Sequence, residues 1–124
     1  MIRDALAPFA EVVRTPVLAE EGSTHAEYKF YAYIQPERLA AGWDRDRIVA
    51  EINARGIPCL HGSCAEVYLE KAFDGTGFRP LQRLPVARTL GETSVMWLVH
   101  PTLTDEQMRL TADVTADVFA RASS

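Results

Sequence analysis

The stretch Gly56–Phe73, GIPCLHGSCAEVYLEKAF, passes through four local states in eighteen residues and so dictates how the segments on either side are arranged. Gly56 accepts the left-handed conformation that ends a helix, and Pro58 lacks the backbone donor that continuation would need. Residues 57–60 form a short apolar run suited to a buried strand. A loop carrying His61 between Cys59 and Cys64 follows. Ser63 and Glu66 then stand in the S-x-x-E relation of a capping box, which predicts a helix reaching about Phe73.

Upstream, Asp44 reads as an N-cap, with Trp43 and Ile48 placed to close a hydrophobic staple across it. The helix that it opens runs to about Arg55, and Ile57 packs back on Ile52 beyond the glycine stop. Glu27–Ile34, EYKFYAYI, reads as a strand. Tyr28, Phe30, Ala32 and Ile34 share one face, while Lys29, Tyr31 and Tyr33 share the other. Such a strand is either central in a sheet with one face under helices, or presents its tyrosines to a partner surface. Thr15–Ala26 contains Pro16, Gly22 and Ser23 and suits an exposed connection. Before it, Ile2, Leu6, Phe9 and Val13 recur at helical spacing, and Pro8 either starts or kinks that helix.

Downstream, Gly75, Gly77 and Pro80 open a loop, and Val86–Leu90 forms one or two helical turns ending at Gly91. Ser94–Val99, SVMWLV, is a nearly continuous apolar run of strand length and belongs in the sheet interior. Leu103, Thr104, Gln107 and Met108 supply a staple and a capping box for a C-terminal helix. Along that helix Asp105, Arg109, Asp113, Asp117 and Arg121 form a solvated stripe, and Met108, Val114, Val118 and Phe119 face the core.

This order of elements predicts an α+β domain with a small, mainly antiparallel sheet covered by helices. At 124 residues the chain fits a single domain, 1–124. A hydrophobic share of 48% with 24% charged residues is that of a soluble globular protein, and no apolar run approaches the roughly 18 residues needed to cross a bilayer. No membrane partner is expected. The start Met1-Ile2-Arg3-Asp4 shows no secretory signal, so the expected location is cytoplasmic. A net charge of −4 gives no overall attraction to a polyanion, so no nucleic-acid partner is expected either.

Cys59, His61 and Cys64 form a C-x-H-x-x-C cluster of zinc-competent side chains, which opens the alternative of a small metal-binding protein. A closed site needs a fourth ligand, and Glu66, His100 and His25 are the candidates. The competing reading puts Cys59 in the core and Cys64 at a helix start, where its thiolate gains some stabilisation and His61 could serve as its base. Ser63 is claimed by capping, and His100, before Pro101, suits packing or hydrogen bonding. The two lysines, Lys29 and Lys71, read as surface residues without the anchoring groups that a Schiff-base lysine requires. No catalytic, cofactor-binding or metal residue is therefore assigned within this chain.

In order and spacing, YKFYAYI, RDRIVAEINARGIP, HGSCAEVYLEKAF, LPVARTLGETS and HPTLTDEQ together resemble the C-terminal part of the DegT/DnrJ/EryC1/StrS sugar aminotransferases. The resemblance implies the small domain of a fold-type I pyridoxal-phosphate enzyme acting on keto-sugar nucleotides in the making of amino sugars for polysaccharide. It implies further that the cofactor and its lysine belong to a large domain missing from this chain, and that the full-length enzyme is a homodimer. The loop His61-Gly62-Ser63, with Glu66 and Tyr68, is then the part that faces substrate, and His61 and Tyr68 are its binding residues. Many relatives carry a Pro-His combination in this loop and Leu-Pro where Leu98-Val99 stand here. The alternative from another class is a free-standing, non-catalytic ligand-binding or interaction module.

Overall fold

The computed structural model describes residues 1–17, 22, 25 and 27–123. Its organising element is strand β2, Lys29–Ile34, in which half-buried and buried residues alternate. Together with β1 (Val13–Arg14), β3 (Cys59–Leu60) and β4 (Ser94–Leu98) it makes one antiparallel sheet in the order β1-β2-β4-β3. The register pairs Phe30 with Trp97, Ala32 with Val95 and Ile34 with Val13, so the apolar residues of three strands fall on one face. Their rings are in contact, with the Phe30 and Trp97 centroids 6.0 Å apart.

Three helices cover that face. Helix α1 (Ile2–Leu6) buries Ile2 and Leu6, α2 (Arg45–Asn53) buries Ile48, Val49 and Ile52, and α4 (Asp105–Ala122) buries Val118, Phe119 and Ala122. Trp97, Phe119, Ile48 and Ile52 are fully enclosed, and each such side chain contributes about 1.5–3 kcal/mol of transfer free energy. The architecture is the α+β layer that the sequence predicts.

The caps of α2 and α4 are those expected. Asp44 Oδ1 accepts the Arg47 amide at 2.7 Å. Thr104 and Gln107 exchange reciprocal bonds of 3.2 and 2.8 Å. Gly56 adopts φ +79° after the helix end, as its stop role requires. The charged stripe of α4 is exposed, yet its pairs reach across to α2 and the turn that follows it: Arg55 holds Asp117 at 2.5 Å and Arg121 holds Glu51 at 3.0 Å. Beyond α2, the Asn53 amide bonds both backbone groups of Cys59, at 3.0 Å to its N–H and 2.7 Å to its carbonyl. It thereby occupies hydrogen-bonding positions that a further strand would need.

Four local expectations are corrected. Of the two readings of Pro8, the helix start is corrected and the break is found: α1 starts at Ile2 and gives way at Pro8 to a 3-10 turn, Ala7–Phe9, because proline cannot donate the next α-helical bond. Val13 has already left helical structure and pairs with Ile34 in β1. Helix α3, Pro85–Thr93, passes through Gly91 instead of stopping there. The helix predicted from Ser63 to Phe73 is replaced by two 3-10 turns, Val67–Leu69 and Lys71–Phe73, since both capping side chains are engaged elsewhere. Most of the connection expected over Thr15–Ala26 falls outside the described residues. Among the described residues no helix is long and apolar enough to cross a membrane.

Candidate functional site

The second face of the sheet carries Lys29, Tyr31 and Tyr33 from β2 and Met96 from β4. Met96 is only 2% exposed yet lies outside the main core cluster, so β4 is buried on both faces through Trp97, as expected, while Leu98 emerges. The segment from His61 to Thr93 lies over this second face, bonded to Tyr31 and Ser94. Between that segment and the sheet lies an apolar cleft of about 500 Å³, lined by Tyr31, Tyr33, Ser63, Leu84, Val86 and Leu90 among others.

Close backbone packing holds the loop to the sheet. Gly62 has φ +108°, and a Cβ there would meet Ser94 Oγ at 3.0 Å and Tyr31 Cε1 at 3.1 Å. A Cβ at Gly91 would lie 2.8 Å from that of Ala65, which explains a glycine kept inside helix α3. Polar groups complete the attachment: Ser94 Oγ donates to the His61 carbonyl at 2.5 Å, and the hydroxyls of Tyr31 and Ser63 meet at 2.8 Å. Ser63 is thus spent on the sheet rather than on a helix cap.

His61 itself is exposed, and its Nε2 lies 3.4 Å from Asp46 Oδ1 at the start of α2. Asp46 is bound in turn by Arg45 Nε at 2.5 Å, and this hydrogen bond holds its carboxyl below the usual carboxylate range. Arg45 Nη1 donates to the carbonyls of Gly91 and Ser94, both at 3.1 Å. A circuit Arg45–Asp46–His61–Ser94 therefore joins α2, the loop, the end of α3 and the start of β4. The sequence reading missed Arg45, whose only local signal is its place beside an N-cap.

Tyr68 lies apart from that circuit. Its hydroxyl donates to Glu66 Oε1 at 2.6 Å and accepts the Leu84 amide at 2.9 Å. Arg83 grips Glu66 with two nitrogens, through Nε at 2.9 Å and through Nη2. The Arg83 and Tyr68 hydrogen bonds pull the Glu66 carboxyl down to about 2. Glu66 is thus the centre of a clasp between residues 66–68 and 83–84, not half of a capping box.

The cysteine readings divide in the same way. Cys59 is fully buried, and burial pushes its thiol up to about 12. Exposed Cys64 donates to Glu70 Oε1 at 3.2 Å, which raises its pKa, so the thiolate stabilisation expected from a helix start is reversed. Among the described residues no three His, Cys, Asp or Glu side chains converge as metal ligands. His100 Nδ1 meets Thr102 Oγ1 at 2.7 Å.

The lysines do not fit pyridoxal phosphate. Lys29 Nζ lies 5.2 Å over the Tyr28 ring, Lys71 is exposed in a 3-10 turn, and the cleft is lined by neither. A Schiff-base lysine has to be held against a cofactor whose phosphate and ring nitrogen are anchored by other groups; among the described residues Lys29 lines a pocket of about 100 Å³ with Arg3, His25 and Glu27, too small for that cofactor, and Lys71 stands exposed.

No family model and no curated protein sequence matches the chain. Solved structures do. The aminotransferase from Psychrobacter cryohalolentis is 50% identical over 99% of this chain and 33% of its own, with a TM-score of 0.92. DesV from S. venezuelae, solved in complex with a ketimine intermediate, is 21% identical over 98% of this chain and 30% of its own, with a TM-score of 0.73. A DegT DnrJ EryC1 StrS aminotransferase from Brucella abortus is 22% identical over 94% of this chain and 28% of its own, with a TM-score of 0.65. The last two share the fold, while the first shares half of the residues as well. The chain belongs to the aminotransferases that have the DegT/DnrJ/EryC1/StrS fold, and it spans about a third of the length of one.

Proposed function

We propose that the chain is the C-terminal small domain, 1–124, of a pyridoxal-phosphate aminotransferase that transfers an amino group to a nucleotide-linked keto-sugar. The observation that carries this reading is 50% identity across 99% of the chain to one third of a solved aminotransferase. The cofactor and its lysine belong to the remaining two thirds, which suits the misfit of Lys29 and Lys71. The chain contributes binding and architecture, packing on the cofactor domain of a cytoplasmic homodimer that serves amino-sugar and polysaccharide synthesis.

Within it, His61 and Tyr68 are the residues proposed to meet the sugar nucleotide. His61 is exposed and anchored through its carbonyl and Nε2, which leaves Nδ1 to face a sugar hydroxyl. Tyr68 presents its ring while its hydroxyl stays in the Glu66 clasp.

A hybrid in which this chain replaces the matching third of the Psychrobacter cryohalolentis aminotransferase tests the proposal. Uptake of the cofactor and amino transfer to a nucleotide-linked keto-sugar support it. A folded hybrid that takes up no cofactor, or that aminates only simple keto acids, contradicts it.

A further inference from the structure

Seven of the twelve large apolar side chains exposed among the described residues fall between Leu60 and Val86, so the exposure is concentrated in one strap. Phe78 is 77% exposed, Leu81 fully so, and Val86 70%. Val67, Leu69 and Leu84 are exposed beside them. Scattered single apolar residues on a surface need no explanation, whereas a contiguous stretch marks an interaction surface.

The strap is braced by its own polar side chains, which stay at the surface themselves: Arg79, Asp74 and Arg83 are 38%, 60% and 45% exposed. Arg79 donates to the carbonyls of Tyr68 (2.8 Å), Leu69 (2.8 Å) and Glu70 (3.1 Å), and also pairs with Asp74 at 2.5 Å. Arg83, Glu66 and Tyr68 close the second half through the clasp described above. This frame pairs Arg79 with Asp74 and Arg83 with Glu66, and the exposed apolar groups sit on a backbone braced by these side chains. Such pre-ordering reduces the entropy lost when a surface docks.

We infer that the strap from Val67 to Val86 is a pre-organised docking surface for the remaining two thirds of the same aminotransferase, whose contacting face offers apolar groups to Phe78 and Leu81. The inference rests on the reading above and goes beyond it by naming the surface. Its occupant follows from length and chemistry. The chain accounts for 33% of the structure it matches at 50% identity, so the missing partner is larger than the chain itself. Permanent interfaces resemble a domain core cut in half, and a strap that leaves Val67, Leu69, Phe78 and Leu81 exposed presents part of such a cut.

The experiment compares Phe78→Asp/Leu81→Asp with Leu110→Asp, an exposed apolar position on α4, in the isolated chain and in the hybrid enzyme. In the isolated chain both variants are expected to keep the parent's melting temperature, because these side chains contact water. In the hybrid the strap variant is expected to lower the yield of cofactor-loaded enzyme at least about thirtyfold, as loss of an interface hot spot would, while Leu110→Asp leaves it within about twofold. A hybrid that loads cofactor normally despite the strap substitutions overturns the docking surface and leaves the proposed function standing. A hybrid that never loads cofactor, even without substitutions, overturns the proposed function and this inference with it. An isolated chain that forms a dimer dispersed by the strap substitutions, with the hybrid unaffected, assigns the surface to a second copy and also overturns the inference.

Discussion

The Tyr31 and Ser63 hydroxyls meet at 2.8 Å and tie the central strand to the loop that carries His61. Gly62 lies between that bond and Ser94, with φ +108° and no room for a side chain. Ser63→Ala should therefore cost about 0.5–1.5 kcal/mol, the worth of one hydrogen bond, and a Tyr31→Phe/Ser63→Ala double variant should cost little more than either alone. Gly62→Ala should cost about 2–3 kcal/mol, through backbone strain and the close approach of Ser94 and Tyr31. Urea unfolding of the four variants checks this. Full additivity of the two hydroxyl changes would show that the bond does not form.

The Glu66 clasp makes a prediction about acid. Its folded-state pKa of about 2 lies below its ordinary value of 4.5, so the carboxylate form is the one that the fold favours. The stability that it contributes is therefore complete above about pH 5 and is lost as pH falls from there toward 2. Arg83→Gln removes the larger cause and should raise the Glu66 pKa toward the ordinary range. Carboxyl chemical shifts followed by pH titration of the Arg83→Gln and parent proteins read this directly, and identical titration midpoints would contradict it.

His61 and Tyr68 should behave differently in the hybrid enzyme. His61 is exposed, so His61→Ala should raise the KM for the sugar nucleotide by about three- to tenfold, one hydrogen bond's worth, with the melting temperature unchanged. Tyr68→Ala removes the ring together with the donor to Glu66 and the acceptor for Leu84, so it should lower stability by at least about 1–2 kcal/mol as well as weaken substrate binding. Steady-state kinetics and thermal melts separate the two. Unchanged kinetics in both variants would reduce the loop to a connection.

Most of the core was legible because its signals are local and periodic. Asp44, Gly56, Thr104 and Gln107 act through their own neighbours, and the alternation in KFYAYI is set by strand geometry alone. The loop was misread where a local motif competed with partners distant in sequence. Ser63 and Glu66 have the spacing of a capping box, yet Tyr31, 32 residues away, takes the first and Arg83, 17 residues away, takes the second. Gly91 looked like a helix stop because the sequence cannot show that Ala65 lies against it. The Arg45–Asp46–His61–Ser94 circuit was invisible for the same reason, since its members come from three separate segments. The outward-facing strap had no sequence signature, because apolar residues in a loop are normally read as buried.

The proposed role of the chain requires the cofactor to be held outside it. Borohydride reduction in the presence of pyridoxal phosphate, followed by peptide mapping, can be applied both to the isolated chain and to the hybrid enzyme. The expected result is a reduced cofactor on one lysine of the larger part in the hybrid, and no stoichiometric adduct at Lys29 or Lys71 in either sample. A stoichiometric adduct at Lys29 or Lys71, accompanied by amino transfer by the isolated chain, would contradict it.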